Sequence, residues 1–339
     1  MNEYRAARVG FAAWRAPASS GRLRAHANPA GTYASRMKTW VMALALALGG
    51  CAATADKEDC AFCPAMVRIP AGNATFGSEP GALYQRPDEL PRLTVRIARP
   101  FEVSRYEVTR GQYDAFVRAT NYPVGGDCLT DRRKRGDWQY DAATTYRDPG
   151  FTQTDEHPVA CVSFEDARAY VAWLNSVTPG GYRLLTEVEW EYVAAAGATT
   201  LYPWGDDKID GCRFANGFDD AAWMAYAGMD TSAYPLFDPL PCRDGWLNTH
   251  PVGALPPNKF GVHDMIGNVS EWVADCYVPS HERLSPTGMA EAPAGPCAKR
   301  VAKGGSWGTL AHNLRTAERF PYAATHRDDS IGIRLARDR

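Results

Sequence analysis

The chain has 339 residues, of which 45% are hydrophobic and 22% are charged. This composition is typical of a globular protein and excludes collagen, coiled coils and wholesale disorder. The length predicts about two domains at ~150 residues each, or one elaborate domain. A formal net charge of -2 excludes a nucleic-acid binder that works by bulk positive charge, so we expect no nucleic-acid partner.

Charge is unevenly distributed along the chain. Residues 1–50 carry seven basic residues and one acidic residue, which leaves 30 basic and 38 acidic residues, a net charge of -8, for the remainder. The working part of the protein is therefore acidic. The chain has 30 glycines and 24 prolines, which predicts many loops, and 10 tryptophans and 16 tyrosines, which predict a core held together by large aromatic rings.

An apolar run near the N-terminus is typical of an export signal. Lys38 precedes the run from Trp40 to Leu48, which is shorter than the ~20 residues that a membrane-spanning helix needs. The run matches the apolar part of a secretory signal peptide. It ends in Leu-Gly-Gly-Cys at residues 48–51, which resembles a bacterial lipobox, where the signal is cut before a cysteine that receives lipid. The alternative is an ordinary signal peptide with a coincidental cysteine.

These features predict three parts of the chain. Residues 1–50 form a leader and a lipoprotein signal peptide, with translation expected to start at Met37; the alternative is an unusually long leader. Residues 51–63 hold the lipidated Cys51 and a tether, and residues 64–339 form one domain, because no repeat or linker divides them. We expect a lipid-anchored protein of the bacterial cell envelope. Ala52, rather than Asp, after the cysteine favours the outer membrane, facing the periplasm.

Eight cysteines remain if Cys51 carries lipid. An even number in an exported protein predicts disulfides, although eight cysteines allow 105 connectivities. Loop closure favours partners that are near in sequence. On this argument the pairs are Cys60–Cys63, Cys128–Cys161, Cys212–Cys242 and Cys276–Cys297. The alternative for Cys60 and Cys63 is half of a zinc site, but the chain has no second C-x-x-C.

Strands and three helix starts can be read from local patterns. Strands are predicted at Met66–Pro70 and at Leu93–Val103, and no long helix is predicted after Gly197. The helices begin at capping boxes, in which a side chain caps the first turn. The three boxes are Thr109 with Gln112, Ser163 with Asp166, and Thr186 with Glu189. The acids at 187, 189 and 191 are interpreted as partners of the helix dipole rather than as catalytic carboxylates.

A series of motifs runs through the domain in a fixed order. They include Met66-Val67-Arg68-Ile69-Pro70-Ala71-Gly72, Tyr106-Glu107-Val108-Thr109, His157-Pro158-Val159, Tyr182 to Tyr192, Tyr202-Pro203-Trp204-Gly205, Asp264 to Trp272, Gly304-Gly305-Ser306-Trp307 and Gly332-Ile333-Arg334. Together they resemble the sulfatase-modifying-factor family, also called formylglycine-generating-enzyme-like, over about residues 64–337. The resemblance implies an α+β fold of the C-type-lectin-like kind with little regular secondary structure.

The resemblance also implies calcium, because family members can hold two calcium ions. The matching ligands for one ion are Asn216, the Gly217 carbonyl, Asp244 and the Trp246 carbonyl. Those for the other are Asp264, the Gly267 and Val269 carbonyls, and Glu271. Calcium prefers such oxygen ligands. The alternative is that Asp264 and Glu271 only bind loop amides.

Copper is the point at which the chain departs from the family. Catalytic members oxidise a substrate cysteine to formylglycine with copper(I) and oxygen, using two cysteines five residues apart after the Gly-Gly-Ser motif. The corresponding positions here are Thr309 and Leu314, neither of which is a copper(I) ligand. We therefore do not expect copper, and whether the chain is an enzyme is left open by its sequence.

Polar residues after the Gly-Gly-Ser motif, together with Ser306 of the motif and the earlier Trp272, define a candidate cleft. Its members are His312, Glu318, Arg319, Ser306 and Trp272. A histidine and a carboxylate can serve as a general base and its orienting group. The alternative is a structural histidine, with Arg315 and Glu318 as a simple ion pair.

Three functions are consistent with these patterns. The first is a lipid-tethered module without copper that binds a peptide, glycan or envelope protein and assists protein maturation. The second is an oxidoreductase that generates formylglycine, or performs another oxidative maturation as relatives do on peptide-derived siderophores. The third is a purely structural envelope protein.

Overall fold

The computed structural model describes residues 60, 62–132, 134, 136–226, 228–233, 236–283 and 297–338. The predicted leader, the lipidation site Cys51 and most of the tether lie outside the described residues. Among the helices that the structure describes, none has the length and apolar character needed to cross a bilayer.

The secondary structure consists of short elements joined by long loops. The strands of the described residues are β1 (Met66–Ile69), β2 (Gly72–Phe76), β3 (Leu93–Ile97), β4 (Phe101–Ser104), β5 (Cys128–Thr130), β6 (Gln139–Asp141), β7 (Tyr182–Leu184), β8 (Ser270–Cys276), β9 (Arg300–Lys303), β10 (Phe320–Tyr322), β11 (Ile331–Gly332) and β12 (Leu335–Arg337). The helices are α1 (Arg110–Thr120), α2 (Phe164–Val177), α3 (Glu187–Ala195) and α4 (Asp220–Ala225).

Two four-stranded sheets form the framework. Their strand orders are β1-β4-β12-β7 and β10-β9-β8-β11, and two separate pairs, β2 with β3 and β5 with β6, complete the strands. All pairings are antiparallel except that of β11 with β8. Because β8 and β9 are antiparallel neighbours, the loop that enters β8 lies beside the loop that leaves β9.

The prediction of one continuous strand over Leu93–Val103 is wrong. The structure divides this segment into β3, which pairs with β2, and β4, which pairs with β1 and β12. Pro100 lies in the break and has no N–H to donate to a ladder. The first strand prediction is confirmed by β1.

All three predicted capping boxes are confirmed. The side chains of Thr109, Ser163 and Thr186 each accept a hydrogen bond from the backbone three residues later, at the starts of α1, α2 and α3. Asp166 replaces the usual Glu or Gln, yet its Oδ2 accepts from the Ser163 N–H at 2.8 Å. Satisfied first-turn amides explain why these short helices form where the sequence predicts them.

Large side chains fill the interior. Trp190, Trp272, Tyr170 and Phe76 are fully buried, as expected from the aromatic content. The same interior also contains fully buried cations, which the composition did not predict. These are Lys303, Arg315, Arg319 and Arg334.

Four disulfides pin the loops. They join Cys60 to Cys63, Cys128 to Cys161, Cys212 to Cys242 and Cys276 to Cys297, with Cα–Cα distances of 5.0, 5.4, 6.0 and 5.4 Å. These are the pairs that loop closure favours. Cys60 and Cys63 are bonded to each other, so they do not form half of a zinc site.

Candidate functional site

Two neighbouring loops carry most of the predicted site residues. One, residues 264–269, enters β8, and the other, residues 304–314, leaves β9. The Gly267 N–H donates to the Gly304 carbonyl at 3.1 Å, and the Trp307 N–H donates to the Asn268 carbonyl at 3.0 Å. These backbone bonds hold the two loops side by side.

Thr309 and Leu314, at the positions that the resemblance assigns to copper ligands, both pack on Gly305. A Cβ added to Gly305 would lie 2.9 Å from Leu314 Cδ2 and 3.0 Å from Thr309 Cγ2. A Cβ added to Gly217 would lie 2.5 Å from Leu314 Cδ1, so the isobutyl group fills the space between two glycines. Leu314 is fully buried. The residues present do not fit copper(I), which needs soft thiolates.

Thr309 and Ser306 bind each other within the same turn. Thr309 Oγ1 accepts from the Ser306 N–H at 2.9 Å, and the two hydroxyl oxygens are 3.2 Å apart. The Thr309 N–H donates back to the Ser306 carbonyl at 2.9 Å. The turn therefore uses both polar side chains to close itself.

The remaining candidates for the cleft do not line one common, solvent-accessible cleft in the structure. Trp272 is fully buried, and its Nε1 donates to the Val162 carbonyl at 2.9 Å. His312 is half-buried and contacts the Tyr84 ring, with 5.7 Å between the ring centroids. Burial lowers the pKa of His312, in spite of the nearby Asp238 carboxylate. His312 and Trp272 therefore have different surroundings, one near the surface and one in the core.

Glu318 belongs to a buried ionic network. It binds Arg315, which also binds Glu89 through Nη2 at 2.7 Å, and it accepts from Arg86 Nη1 at 2.8 Å. Burial alone would lower the pKa of Arg315, but hydrogen bonds and charge from Glu89 and Glu318 outweigh it and raise the pKa. The ion-pair alternative for Arg315 and Glu318 is thus what the structure shows.

Arg319 is held in the same buried region by α3. Its Nε and Nη2 donate to Glu187 at 2.6 and 3.0 Å. Lys303 lies nearby, with Nζ 2.8 Å from Glu191 Oε1 and 3.8 Å from Glu187 Oε1. Glu187 and Glu191 are therefore internal partners of cations, whereas only Glu189 caps its helix. Their spacing of four residues places both on one helix face, and this pattern could have predicted that they share an environment.

The first set of calcium ligands is brought together, and two of its oxygens lack partners. Asn216 is buried; its Nδ2 donates to the Asn248 carbonyl, while no described residue bonds its Oδ1. Asp244 Oδ1 accepts from the Trp246 N–H at 2.8 Å, and the same carboxylate also bonds the Gly217 N–H. Asp244 Oδ2 is buried and has no partner among the described residues.

Asp244 is a half-buried carboxylate that lies beside a second acid, Asp219. Burial raises its pKa to about 7, and the charge of Asp219 acts in the same direction against the backbone bonds. A buried acceptor without a donor is costly, and an ion bound by oxygen ligands would remove that cost. The donor set fits calcium, since it combines a carboxylate and an amide oxygen with the adjacent Gly217 and Trp246 carbonyls.

The second set of calcium ligands is largely occupied by protein groups. Asp264 Oδ2 accepts from the Gly253 N–H at 2.7 Å, and its Oδ1 is buried 3.7 Å from His250 Nε2, with no hydrogen-bond partner among the described residues. Glu271 accepts from Arg334 Nε at 2.7 Å and from Trp190 Nε1 at 2.6 Å. Only one side-chain oxygen of this set therefore remains open. The alternative that Asp264 binds a loop amide is correct for its Oδ2 atom.

The two sets adjoin through the backbone of Asn216. Its carbonyl accepts from the Asn268 N–H at 2.8 Å, and Asn216 forms an isolated bridge with Gly267. A Cβ on Gly267, whose φ is +82°, would lie 2.2 Å from the Asn216 carbonyl oxygen. Glycine at this position lets the two loops approach each other closely.

Comparison with known proteins agrees with this architecture. A family model, the FGE-sulfatase or sulfatase-modifying factor enzyme 1-like domain, matches residues 52–339. The chain therefore belongs to this family. The formylglycine-generating enzyme of Mycobacterium tuberculosis is 32% identical over 320 residues, covering 80% of this chain and 97% of its own length.

Two further relatives show the range of the family. The inactive C-alpha-formylglycine-generating enzyme 2 of Mus musculus is 29% identical over 303 residues, covering 80% of this chain and 85% of its own length. The structure of PvdO from Pseudomonas aeruginosa superposes with a TM-score of 0.68 at 34% identity, covering 84% of this chain and 97% of PvdO. The predicted α+β, C-type-lectin-like fold is confirmed. Relatives are named both as enzymes and as inactive, so function has to be argued from this chain's own residues.

Proposed function

We propose that this chain is a lipid-anchored protein of the bacterial cell envelope that binds a peptide, glycan or protein partner and assists that partner's maturation without the copper-dependent reaction. The observation that carries the proposal is the packing of Thr309 and Leu314 on Gly305, where the family's chemistry needs two thiolates. Family folds serve as rigid scaffolds on which binding surfaces vary.

The other cysteines of the domain cannot replace the two missing copper ligands. Eight of the nine cysteines are joined in the four disulfides, and a disulfide sulfur is not a thiolate ligand. The ninth, Cys51, lies outside the described residues and is our proposed lipidation site. Replacing Cys51 with Ser should release the protein from the membrane fraction, and continued membrane retention would contradict the anchor.

Calcium at the first ligand set belongs to the same proposal. Asn216 Oδ1 and Asp244 Oδ2, buried and without partners among the described residues, support it. Residues Gly217 and Trp246 would add carbonyl oxygens. Calcium there would hold the loops rigid and would leave the binding surfaces preorganised. The second set, with Glu271 fully engaged by protein groups, supports calcium less, and we keep it as a prediction.

The alternative is a formylglycine-generating or related oxidative-maturation oxidoreductase. It is favoured by the similarity to relatives named formylglycine-generating enzyme. It would require copper ligands other than Thr309 and Leu314.

Mass spectrometry of a cysteine-containing sulfatase peptide separates the two functions. The purified chain is incubated with the peptide, copper and oxygen, beside a heat-killed sample and the Mycobacterium tuberculosis enzyme as a positive control. We expect the peptide mass to remain unchanged with this chain and to fall with the positive control. Conversion above the heat-killed sample would contradict the proposed function and support the oxidoreductase.

A further inference from the structure

A second concave surface lies apart from the two loops of the candidate site. It is a cleft of about 910 Å³ between α2, β7, the start of β4 and the ends of β8 and β9. Pockets of ~300–1,000 Å³ are the size that proteins use for ligands. Neither Thr309 and Leu314 nor the proposed calcium ligands line it.

The cleft is positively charged in a domain that is acidic as a whole. Its charged lining residues are Arg99, Arg168, Arg183, Arg300, Glu189 and Asp338. Both acids are bound by Arg183, at 2.6 Å for Glu189 and 2.9 Å for Asp338. The other three arginines have no carboxylate partner within the lining, although Arg168 binds Glu165, outside the lining, at 3.3 Å. Residues 51–339 carry a net charge of -8, so the concentration of cations here is local.

Arg300 is the most constrained of these cations. Its guanidinium lies over the Phe164 ring, 4.2 Å from the centroid, and its Nη1 donates to the Ala274 carbonyl at 2.9 Å. Its Nε is buried and has no acceptor within the part of the chain that the structure describes. Burial lowers the pKa of Arg300, and the charge of Arg168 adds to this effect. The carboxylates of Glu165 and Asp275 oppose this effect, and an anion in the cleft would add to them in offsetting the repulsion between the two arginines.

The floor of the cleft is apolar. It is formed by Ile97, Phe101, Phe164, Val171, Leu184 and Ala274. A free phosphate needs cations but no such floor. A bilayer surface meets exposed, protruding cations and apolar faces, whereas these cations surround a concavity. An extended peptide that carries both carboxylates and apolar side chains matches the lining better than a free phosphate or a bilayer surface does.

We propose that this cleft binds an acidic peptide segment of a partner protein, with carboxylates at Arg99, Arg168 and Arg300 and apolar side chains on the floor. The proposal rests on the proposed function in that it names the partner class of the binding role. The two fail separately, because formylglycine production would leave peptide binding in this cleft intact.

Fluorescence anisotropy with labelled peptides tests the proposal on the full chain. The probes are short peptides that alternate Glu or Asp with Leu or Phe, and matched peptides in which Gln and Asn replace the acids. We expect saturable binding of the acidic peptides only, weakened by added salt, because exposed charges are screened. Inorganic phosphate should compete weakly.

Charge reversal of the two exposed arginines of the cleft, Arg99 and Arg168, tests whether peptide binding depends on the cleft or only on the overall charge of the protein. The double variant Arg99→Glu/Arg168→Glu should lower the affinity for acidic peptides at least about tenfold, since charge-assisted hydrogen bonds are lost and repulsion is added. The matched control, Arg118→Glu, changes an exposed arginine on α1 outside the cleft and should leave the affinity unchanged. Arg300→Lys keeps the charge but loses the planar fork, so it should weaken binding less than the double variant.

Three results would overturn the proposal. One is the absence of saturable binding by any acidic peptide. Another is equal loss of affinity in the Arg118→Glu control and in the double variant. The third is binding to vesicles of phosphatidylglycerol and phosphatidylcholine without binding to peptides, which would assign the arginines to a membrane. Unchanged circular dichroism spectra of the variants keep each result attributable to the cleft.

Discussion

Two adjacent regions of this domain contain positions that the family resemblance assigns to metal ligands. The regions differ in whether their polar side-chain atoms have partners within the protein. In the closed turn, residues 304–314, Thr309 and Leu314 are packed on Gly305, and both hydroxyls of the turn bind each other. In the oxygen-lined loops, which hold Asn216 and Asp244, buried oxygens have no partner among the described residues. The polar side chains of the closed turn bind protein groups, whereas the oxygen-lined loops keep two buried oxygens, Asn216 Oδ1 and Asp244 Oδ2, to which we propose that calcium binds.

Copper at the closed turn and calcium at the oxygen-lined loops would therefore depend on different residues. A buried, unpaired acceptor costs about 1–3 kcal/mol, so such oxygens persist only where something compensates them. A buried leucine instead stabilises through burial and packing, roughly 1.5–3 kcal/mol for the whole side chain. The packing of Thr309 and Leu314 in the closed turn is therefore compatible with unpaired oxygens in the neighbouring loops.

The largest expected effect comes from opening the closed turn. Leu314→Ala should lower the free energy of unfolding by about 2–5 kcal/mol, because the isobutyl group fills the space between Gly217 and Gly305. The measurement is urea unfolding with the disulfides intact. Leu83→Ala, at a side chain that is 61% exposed, is the control and should change the value by less than ~0.5 kcal/mol. A small effect at Leu314 would mean that the turn is loose.

A titration tests whether the region around His281 is sealed from water. His281 is fully buried against Phe76, and burial, with the charge of Arg319 and Lys303 opposing Glu187, lowers its pKa from 6.5 to about 4. Between these values the unfolded chain binds a proton that the folded chain does not. Stability from this group is therefore present above about pH 6.5 and is lost as the pH falls towards about 4.

The variant His281→Phe keeps a ring but cannot titrate. Its unfolding free energy should fall less steeply with acidification than that of the wild type, by about 3 kcal/mol over the whole window. Urea unfolding at several pH values measures the difference. Parallel profiles would show that His281 reaches solvent and that the region is open.

Calcium should stabilise the oxygen-lined loops by a similar amount. At a concentration 100 times the dissociation constant, an ion that binds only the folded chain adds about 2.7 kcal/mol. Asp244→Asn should abolish the rise in melting temperature, whereas Asp210→Asn, at an exposed acid in the same part of the chain, should preserve it. An equal response of the wild type and the Asp244 variant would remove calcium from these loops.

The smallest effect should come from the hydroxyl of the closed turn. Thr309→Val keeps the shape of the side chain but removes the acceptor of the Ser306 N–H, which should cost about 1 kcal/mol. Thr309→Ser, which retains the acceptor, should recover part of this stability. The urea midpoints of the two variants give the comparison. No difference between them would show that the hydroxyl does not close the turn.

Local signals made much of the fold predictable. A capping box needs only residues three apart, so the starts of α1, α2 and α3 could be located from Thr109, Ser163 and Thr186 alone. Loop closure likewise depends on sequence separation, and it favoured the four disulfide pairs.

What could not be predicted depends on partners distant in sequence. The position of Glu187 in the first turn of a helix predicts an interaction with the helix dipole. Its partner in the structure is Arg319, which lies 132 residues away in the sequence. The polar character of Glu318 suggested a cleft, but Arg315 and Arg86 hold it inside the protein. The assignment of β3 and β4 to different sheets is also a tertiary feature, which no alternating pattern encodes.

A copper(I) titration of the chain tests the central claim most directly. The chain carrying Cys51→Ser is titrated without oxygen against a chromophoric copper(I) chelator, with the Mycobacterium tuberculosis enzyme as the positive control. The account predicts that the chain removes no copper from the chelator, because its remaining cysteines are paired in disulfides and Thr309 and Leu314 offer no thiolate. Tight binding of one equivalent of copper(I) would contradict it.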